Sequence, residues 1–385
     1  MTTEEVRGPA AFGLSVARDP AEPAARWDDR VMPNSVSALV LVFAAAAAAV
    51  WVAGIWLSRM TDVLSERLHL GQALAGSILL AVTTNLPEVA ITVTASLEHN
   101  LGIATGNILG GIAIQTVALA VIDAIGLGRR AALTYLAASL QLVLEGAIVV
   151  AVLVLTVMGT QLSADVHVGR IEPAALAITI MWFAGLSLVR RANRGLPWHE
   201  AGRRAPGGQH LPRGVRKAKR AGDAKGRGIP TGRAAAIFTV AALVTLAAGV
   251  ALERTSEKLA LDAGMTGVLF ASTILAAATA LPEISTGLAS VRLGDYQLAV
   301  SDIFGGNAFL PTLFLLASVI SGTDVLPGAS KADIYLTALG ALLTVVYMIG
   351  LIFRPRRLVG PFGLDSALVV AFYAIGIVGL VFVNR

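Results

Sequence analysis

The chain's strongest constraint is its apolar segmentation. Ten stretches (36–58, 71–97, 102–127, 131–159, 171–190, 234–252, 264–291, 295–321, 333–353 and 364–383) are predominantly apolar. Each is close to the roughly 20 residues that a helix needs to cross a bilayer. Such runs, repeated along most of the length, predict an all-α polytopic membrane protein with ten transmembrane helices. Composition agrees: 14% of the 385 residues are charged, against about 25% in soluble domains. Mean hydropathy is +0.74. There is no cysteine, so disulfides, thiol catalysis and zinc–thiolate sites are excluded.

The polar segments divide the chain. Residues 1–35 read as a polar N-terminal tail without the pattern of a signal peptide. Residues 36–190 hold five spans, 191–233 form a basic loop rich in Gly and Pro, and 234–385 hold five more. Such a loop cannot bury enough apolar area to fold, so it reads as a solvated linker, with contact to lipid headgroups as a secondary role. Its charge is topological, which disfavours nucleic acid as a partner. Lys and Arg collect on the cytoplasmic side. The loop is therefore expected inside, in the cell membrane, with both termini outside. The short connections agree. Arg59, Arg67, Arg129, Arg130, Arg354, Arg356 and Arg357 fall inside; Asp165, Glu172, Glu253, Asp262 and Asp324 fall outside.

An internal repeat runs across the two halves. "TTNLPE" ends at Glu88 and "ATALPE" at Glu283, 195 positions later. "GNILGG" (Gly106–Gly111) and "SDIFGG" (Ser301–Gly306) keep the same offset. "SERLHLG" also echoes "SEKLALD", with a small gap. Five spans separate the copies, and an odd number reverses direction. The repeats are therefore inverted, the construction of many secondary transporters, whose substrate site lies near the midplane at the repeat interface.

Proline lacks an N–H and clashes with the carbonyl four residues back. Pro87 and Pro282 are thus expected to kink their helices and free the carbonyls of Thr83 and Ala278. In lipid such a carbonyl needs a partner, and a cation or cavity water can be one. Glu88 and Glu283 add negative charge at the same depth, and Asn107 and Asp302 add oxygens beside close-packing glycines. Carboxylate and amide oxygens suit calcium, sodium or magnesium. A set with formal charge −3 must hold cations or protons in every stable state, which is the physical basis of exchange.

At these residues the chain resembles the calcium/cation antiporter superfamily, the sodium/calcium exchanger fold, whose repeats carry G-T-S-L-P-E followed by G-N-x-x-G-S-N. The resemblance covers both repeats and the ten-span layout. It implies that Glu88 and Glu283 are central ion ligands helped by Asn107 and Asp302, and that Thr84 and Thr279 line the ion path. It also implies that spans 1 and 6 move. The motif serine is Asn85 in one copy and Ala280 in the other; the G-S-N serine is Gly111 and Gly306, and its asparagine is Ile112 and Asn307. Hydroxyl ligands for sodium are thus missing, while proton coupling needs only a titratable carboxylate. The transported ions implied are Ca2+ with Na+, or alternatively H+, and no cofactor.

Two readings of Glu145 stand side by side: pairing with Gln141 one turn back, or a proton relay. Asp123 reads as structural, at the inner end of its span near Arg129 and Arg130. The chain has no H-E-x-x-H, and without G-x-x-x-x-G-K-[ST] no ATP site is expected. An intramembrane enzyme could bury paired acids, but nothing would place them in register within an inverted repeat. A cation channel would more often build acidic rings from several subunits.

Overall fold

The computed structural model describes residues 35–67, 82–163, 169–195 and 229–383. Most of the N-terminal tail, the start of the second apolar segment and most of the basic loop lie outside the described residues. The first half contributes α1 (Val36–Arg67), α2 (Leu86–Leu97), α3 (Leu101–Ile122), α4 (Leu133–Ala137), α5 (Leu140–Gly159) and α6 (Pro173–Arg194). The second contributes α7 (Thr231–Asp262), α8 (Gly267–Phe270), α9 (Ala276–Thr279), α10 (Leu281–Arg292), α11 (Tyr296–Phe309), α12 (Leu313–Ser321), α13 (Lys331–Phe353) and α14 (Leu364–Val383). A π-helical turn joins α8 to α9, and a 3-10 turn joins α11 to α12. Among the described residues nine helical stretches are long and apolar enough to span; α2 lies in the remaining segment, 71–97, of which residues 82–97 are described. The molecule is a multi-pass helical membrane protein.

The halves repeat one plan. α1 and α7 are both 32 residues long. Their starts, and those of α2 and α10 and of α3 and α11, all lie 195 positions apart. The echo between "SERLHLG" and "SEKLALD" runs at another offset, and α1 and α7 do not follow it. α1 lies along α7, and each also packs on the other half: α7 on α2, α1 on α10.

Burial separates centre from rim. In α3 and in the α11–α12 span, 72% and 67% of the most apolar stretch is buried, against 22% in α6 and α14. The rim helices present Ile180, Phe183, Ile375 and Phe382 outward, as a lipid-facing surface requires. α3 can sit at the centre because it is narrow. A Cβ on Gly106 would lie 2.9 Å from the Val268 carbonyl oxygen, and one on Gly110 would overlap the Ser272 backbone. Small residues permit this backbone approach in membranes.

One feature went unanticipated. A short hairpin, β1 (Leu358–Val359) with β2 (Phe362–Gly363), links α13 to α14. Asp123 ties it to the core: its Oδ1 accepts from the Leu133 amide at 2.8 Å and its Oδ2 from the Gly363 amide at 2.7 Å. Asp123 is therefore structural, as the sequence suggests, but through two backbone amides. Nearby, Arg354 and Arg356 stack on the Tyr135 ring at 5.5 and 5.1 Å. Asp123→Ala should orphan two buried amides at about 1–3 kcal/mol each. It should lower the thermal midpoint of the detergent-purified chain, with Asp123→Asn falling between it and the parent. An unchanged midpoint for Asp123→Ala would contradict this role.

Candidate ion-binding site

The two Leu-Pro-Glu triplets open new helices. The sequence predicts a kink at each proline; the structure has a turn at Asn85 ahead of Pro87, while Pro282 bends a span that continues from Gly267 to Arg292. The chain turns at Asn85 (φ −92°, ψ 17°), outside the helical region, and at Ala280 (φ −79°, ψ −1°), which keeps a right-handed helical backbone. α2 and α10 then start at Leu86 and Leu281, with the proline in the first turn. The reason is local. The first amides of a helix have no intrahelical acceptor, so a proline there loses no bond, while its ring blocks continuation of the preceding helix. Backbone bonding resumes at once: the Val89 amide donates to the Asn85 carbonyl at 3.0 Å, and the Ile284 amide to the Ala280 carbonyl at 3.2 Å.

Each break thus sets a helix N-terminus inside the apolar interior with a carboxylate in its first turn, Glu88 or Glu283. The positive end of the helix dipole favours negative charge there. Both glutamates and Asn107 are buried, and Asp302 is half-buried. Glu283 lies within electrostatic reach of both Glu88 and Asp302. Thr279 lies beside Glu88, while its hydroxyl donates to the Ala276 carbonyl at 3.2 Å. Asn107 is carried on α3, which packs against α2, α9, α10 and α11.

The bonding of these groups is incomplete. No oxygen of Glu88 or Glu283, neither polar atom of the Asn107 side chain, and not Oδ1 of Asp302 has a hydrogen-bond partner among the described residues. Asp302 Oδ2 accepts from the Thr286 hydroxyl at 2.7 Å. Orphaned polar groups in an apolar interior are costly. Three carboxylates and an amide can be satisfied together by a hard cation, or singly by protons.

A second polar group closes the break at Asn85. Gln115 Nε2 donates to Asn85 Oδ1 at 3.4 Å, and Asn307 Nδ2 donates to the Thr116 hydroxyl at 3.0 Å. Gly306 seats against this group, where a Cβ would lie 3.1 Å from Asn85 Nδ2. Thr83, Thr84, Ala278 and Asn307 are all buried. Gln115, Thr116 and Thr286 were not singled out by sequence. Their signal is faint: polar residues inside apolar helices, with Gln115 eight positions after Asn107 and Thr286 three after Glu283, on the same helix faces. Glu145 accepts from Gln141 Nε2 at 2.9 Å through Oε1, the structural pairing, while its Oε2 has no partner among the described residues. It sits on α5, which packs against α11, the helix of Asp302.

Two glycines that the sequence reading missed hold both breaks. A Cβ on Gly54 of α1 would lie 2.7 Å from Pro282 Cβ; one on Gly249 of α7 would lie 2.7 Å from Ala90 Cβ and 3.0 Å from the Pro87 carbonyl. They too are 195 positions apart. Each half therefore clamps the break of the other.

Comparison with known proteins gives a consistent picture. A family model described as "Sodium/calcium exchanger protein" matches residues 38–189 and 233–382. The candidate antiporter CaxA of Alkalimonas amylolytica is 34% identical over 104 residues, which is 25% of this chain and 31% of that protein. Among solved structures, the H+/Ca2+ exchanger CAX superposes with a TM-score of 0.61 at 13% identity, covering 90% of this chain and 87% of that one. Native YfkE gives 0.59 at 13% identity, covering 88% and 92%. The sodium-calcium exchanger NCX_Mj gives 0.54 at 14% identity, covering 89% and 99%. At such identities the likeness is one of fold.

Gly54→Val and Gly249→Val should each drive a side chain into the facing proline segment. The expected loss is about 1–3 kcal/mol, typical of overpacking, read as a lower thermal midpoint in detergent. Gly305→Ala, where a Cβ meets nothing within 4 Å, is the control and should leave the midpoint unchanged. Equal midpoints for all three variants would contradict the clamps.

Proposed function

Since the chain belongs to the sodium/calcium exchanger protein family, we propose that it is a secondary cation antiporter. It exchanges Ca2+ for Na+ by alternating access at a site formed by Glu88, Asn107, Glu283 and Asp302. One observation carries the reading: two inverted helix breaks bring orphaned carboxylates to one buried region. Thr83, Thr84, Asn85, Ala278, Thr279 and Asn307 line the path, and Pro87 and Pro282 make the breaks. A site that needs a positive charge in every stable state releases one ion only as another arrives. The inverted repeat supplies two related conformations, each open to one side.

A second reading takes protons as the counter-ion. It is supported by the missing motif hydroxyls at Asn85, Ala280, Gly111 and Gly306, and by Glu145, whose second oxygen has no partner among the described residues and which lies on a helix packed against that of Asp302. Glu145 is then the relay.

The chain acts by transport rather than by catalysis, without ATP or a cofactor. It lies in the cell membrane with residues 191–233 cytoplasmic and both termini outside. The distribution of Arg and Lys supports this orientation.

The test is calcium uptake into proteoliposomes under an outward sodium or an outward proton gradient. Sodium-driven uptake lost in Glu88→Gln and Glu283→Gln is the expected result. Uptake under the proton gradient alone assigns protons as the counter-ion. Retained uptake in both variants overturns the site, and calcium current without counter-ion overturns exchange.

A further inference from the structure

We propose that Glu98, Glu253 and Glu257 form a second cation site, separate from the central one, between the end of α2 and the last turns of α7. Carboxylate oxygens from the three residues all lie within 4.8 Å of one another. Glu253 is fully buried, and neither of its oxygens has a hydrogen-bond partner among the described residues. Glu98 and Glu257 are exposed, so solvent reaches the cluster from one side. Arg254 pairs with Glu98, Nε to Oε1 at 3.1 Å, and leaves the Glu253 carboxylate without a donor. A buried carboxylate flanked by two more and with no hydrogen-bond partner among the described residues is a strong acceptor of positive charge. Glu98 caps the C-terminal end of α2, where the helix dipole adds negative potential.

The ligand chemistry is that of a hard divalent cation. Three carboxylates supply oxygen donors, and the exposed side leaves room for the waters that complete a shell of six to eight. The two halves of the repeat differ here. Displaced by 195 positions, Glu253 falls on Ser58, Glu257 on Asp62 and Glu98 on Leu293. The cluster is therefore no product of the inverted symmetry; it belongs to one mouth only, the membrane face opposite the start of α7. Glu98 stands ten residues beyond Glu88, the first just past the end of α2 and the second in its first turn. At 1.5 Å per residue that is about 15 Å. A cation held here joins α2 to α7 at that face of the membrane.

The site stands on its own geometry and does not rest on the central one. The experiment uses the full chain in detergent, with Glu88→Gln and Glu283→Gln combined to remove central binding, and equilibrium dialysis with radiolabelled Ca2+. One calcium per chain should remain. Glu253→Gln should weaken it at least about tenfold, the scale of losing even an outer-shell partner. Glu257→Ala, an exposed change that keeps the fold, should weaken it likewise. No calcium bound to the double variant, or affinity unchanged by both Glu253→Gln and Glu257→Ala, overturns the proposal. Were the central assignment wrong, the double variant would bind as the parent does, and the cluster substitutions would still remove one calcium.

Discussion

Everything in this molecule is arranged around carboxylates that the lipid environment should forbid. Glu88 and Glu283 lie buried inside membrane-spanning segments, with no hydrogen-bond partner for either among the described residues. A charge at that depth is expensive and is retained for function. The fold lowers the cost without removing it. Each glutamate stands in the first turn of a helix that begins in the interior, where the dipole is positive. What remains uncompensated is the capacity to take a cation or a proton.

The supporting structure follows from those two breaks. An interrupted helix in lipid must be covered by protein, because non-helical backbone is tolerated there only when buried or lining a cavity. Gly249 lets α7 lie directly on Pro87, and Gly54 lets α1 lie directly on Pro282. α3 is held closely against the second half through Gly106 and Gly110. Symmetry is then broken where the chemistry differs. Thr286, which donates to Asp302, corresponds at the 195-position offset to Ile91 in the other repeat. The acidic cluster on α2 and α7 likewise has no full counterpart.

Much of this is legible in sequence because membranes simplify the problem. Apolar run length marks the spans, and the 195-position offset exposes the inverted repeat with Glu88, Glu283, Asn107 and Asp302 in register. Other features stay hidden for physical reasons. Gly54 and Gly249 are two glycines among 39, and only the packing of α1 and α7 distinguishes them. The hairpin at 358–363 is too short to leave a periodic signal, and the amides that Asp123 holds come from residues 10 and 240 positions away. Pro87 and Pro282 read as kinks because a proline alone does not tell whether the helix bends or restarts. Asn85 leaves the helical region ahead of Pro87, whereas Ala280 stays within it and the span around Pro282 continues.

If Glu88, Glu283, Asn107 and Asp302 hold the transported ion, their oxygens surround it. The most direct measurement is a structure of the protein in lipid nanodiscs equilibrated with Sr2+, with the ion located by its scattering. Density enclosed by Glu88, Glu283, Asn107 and Asp302 is the predicted result. Strontium absent from this region while the four side chains stay in place, or bound only away from it, would rule out an ion site there.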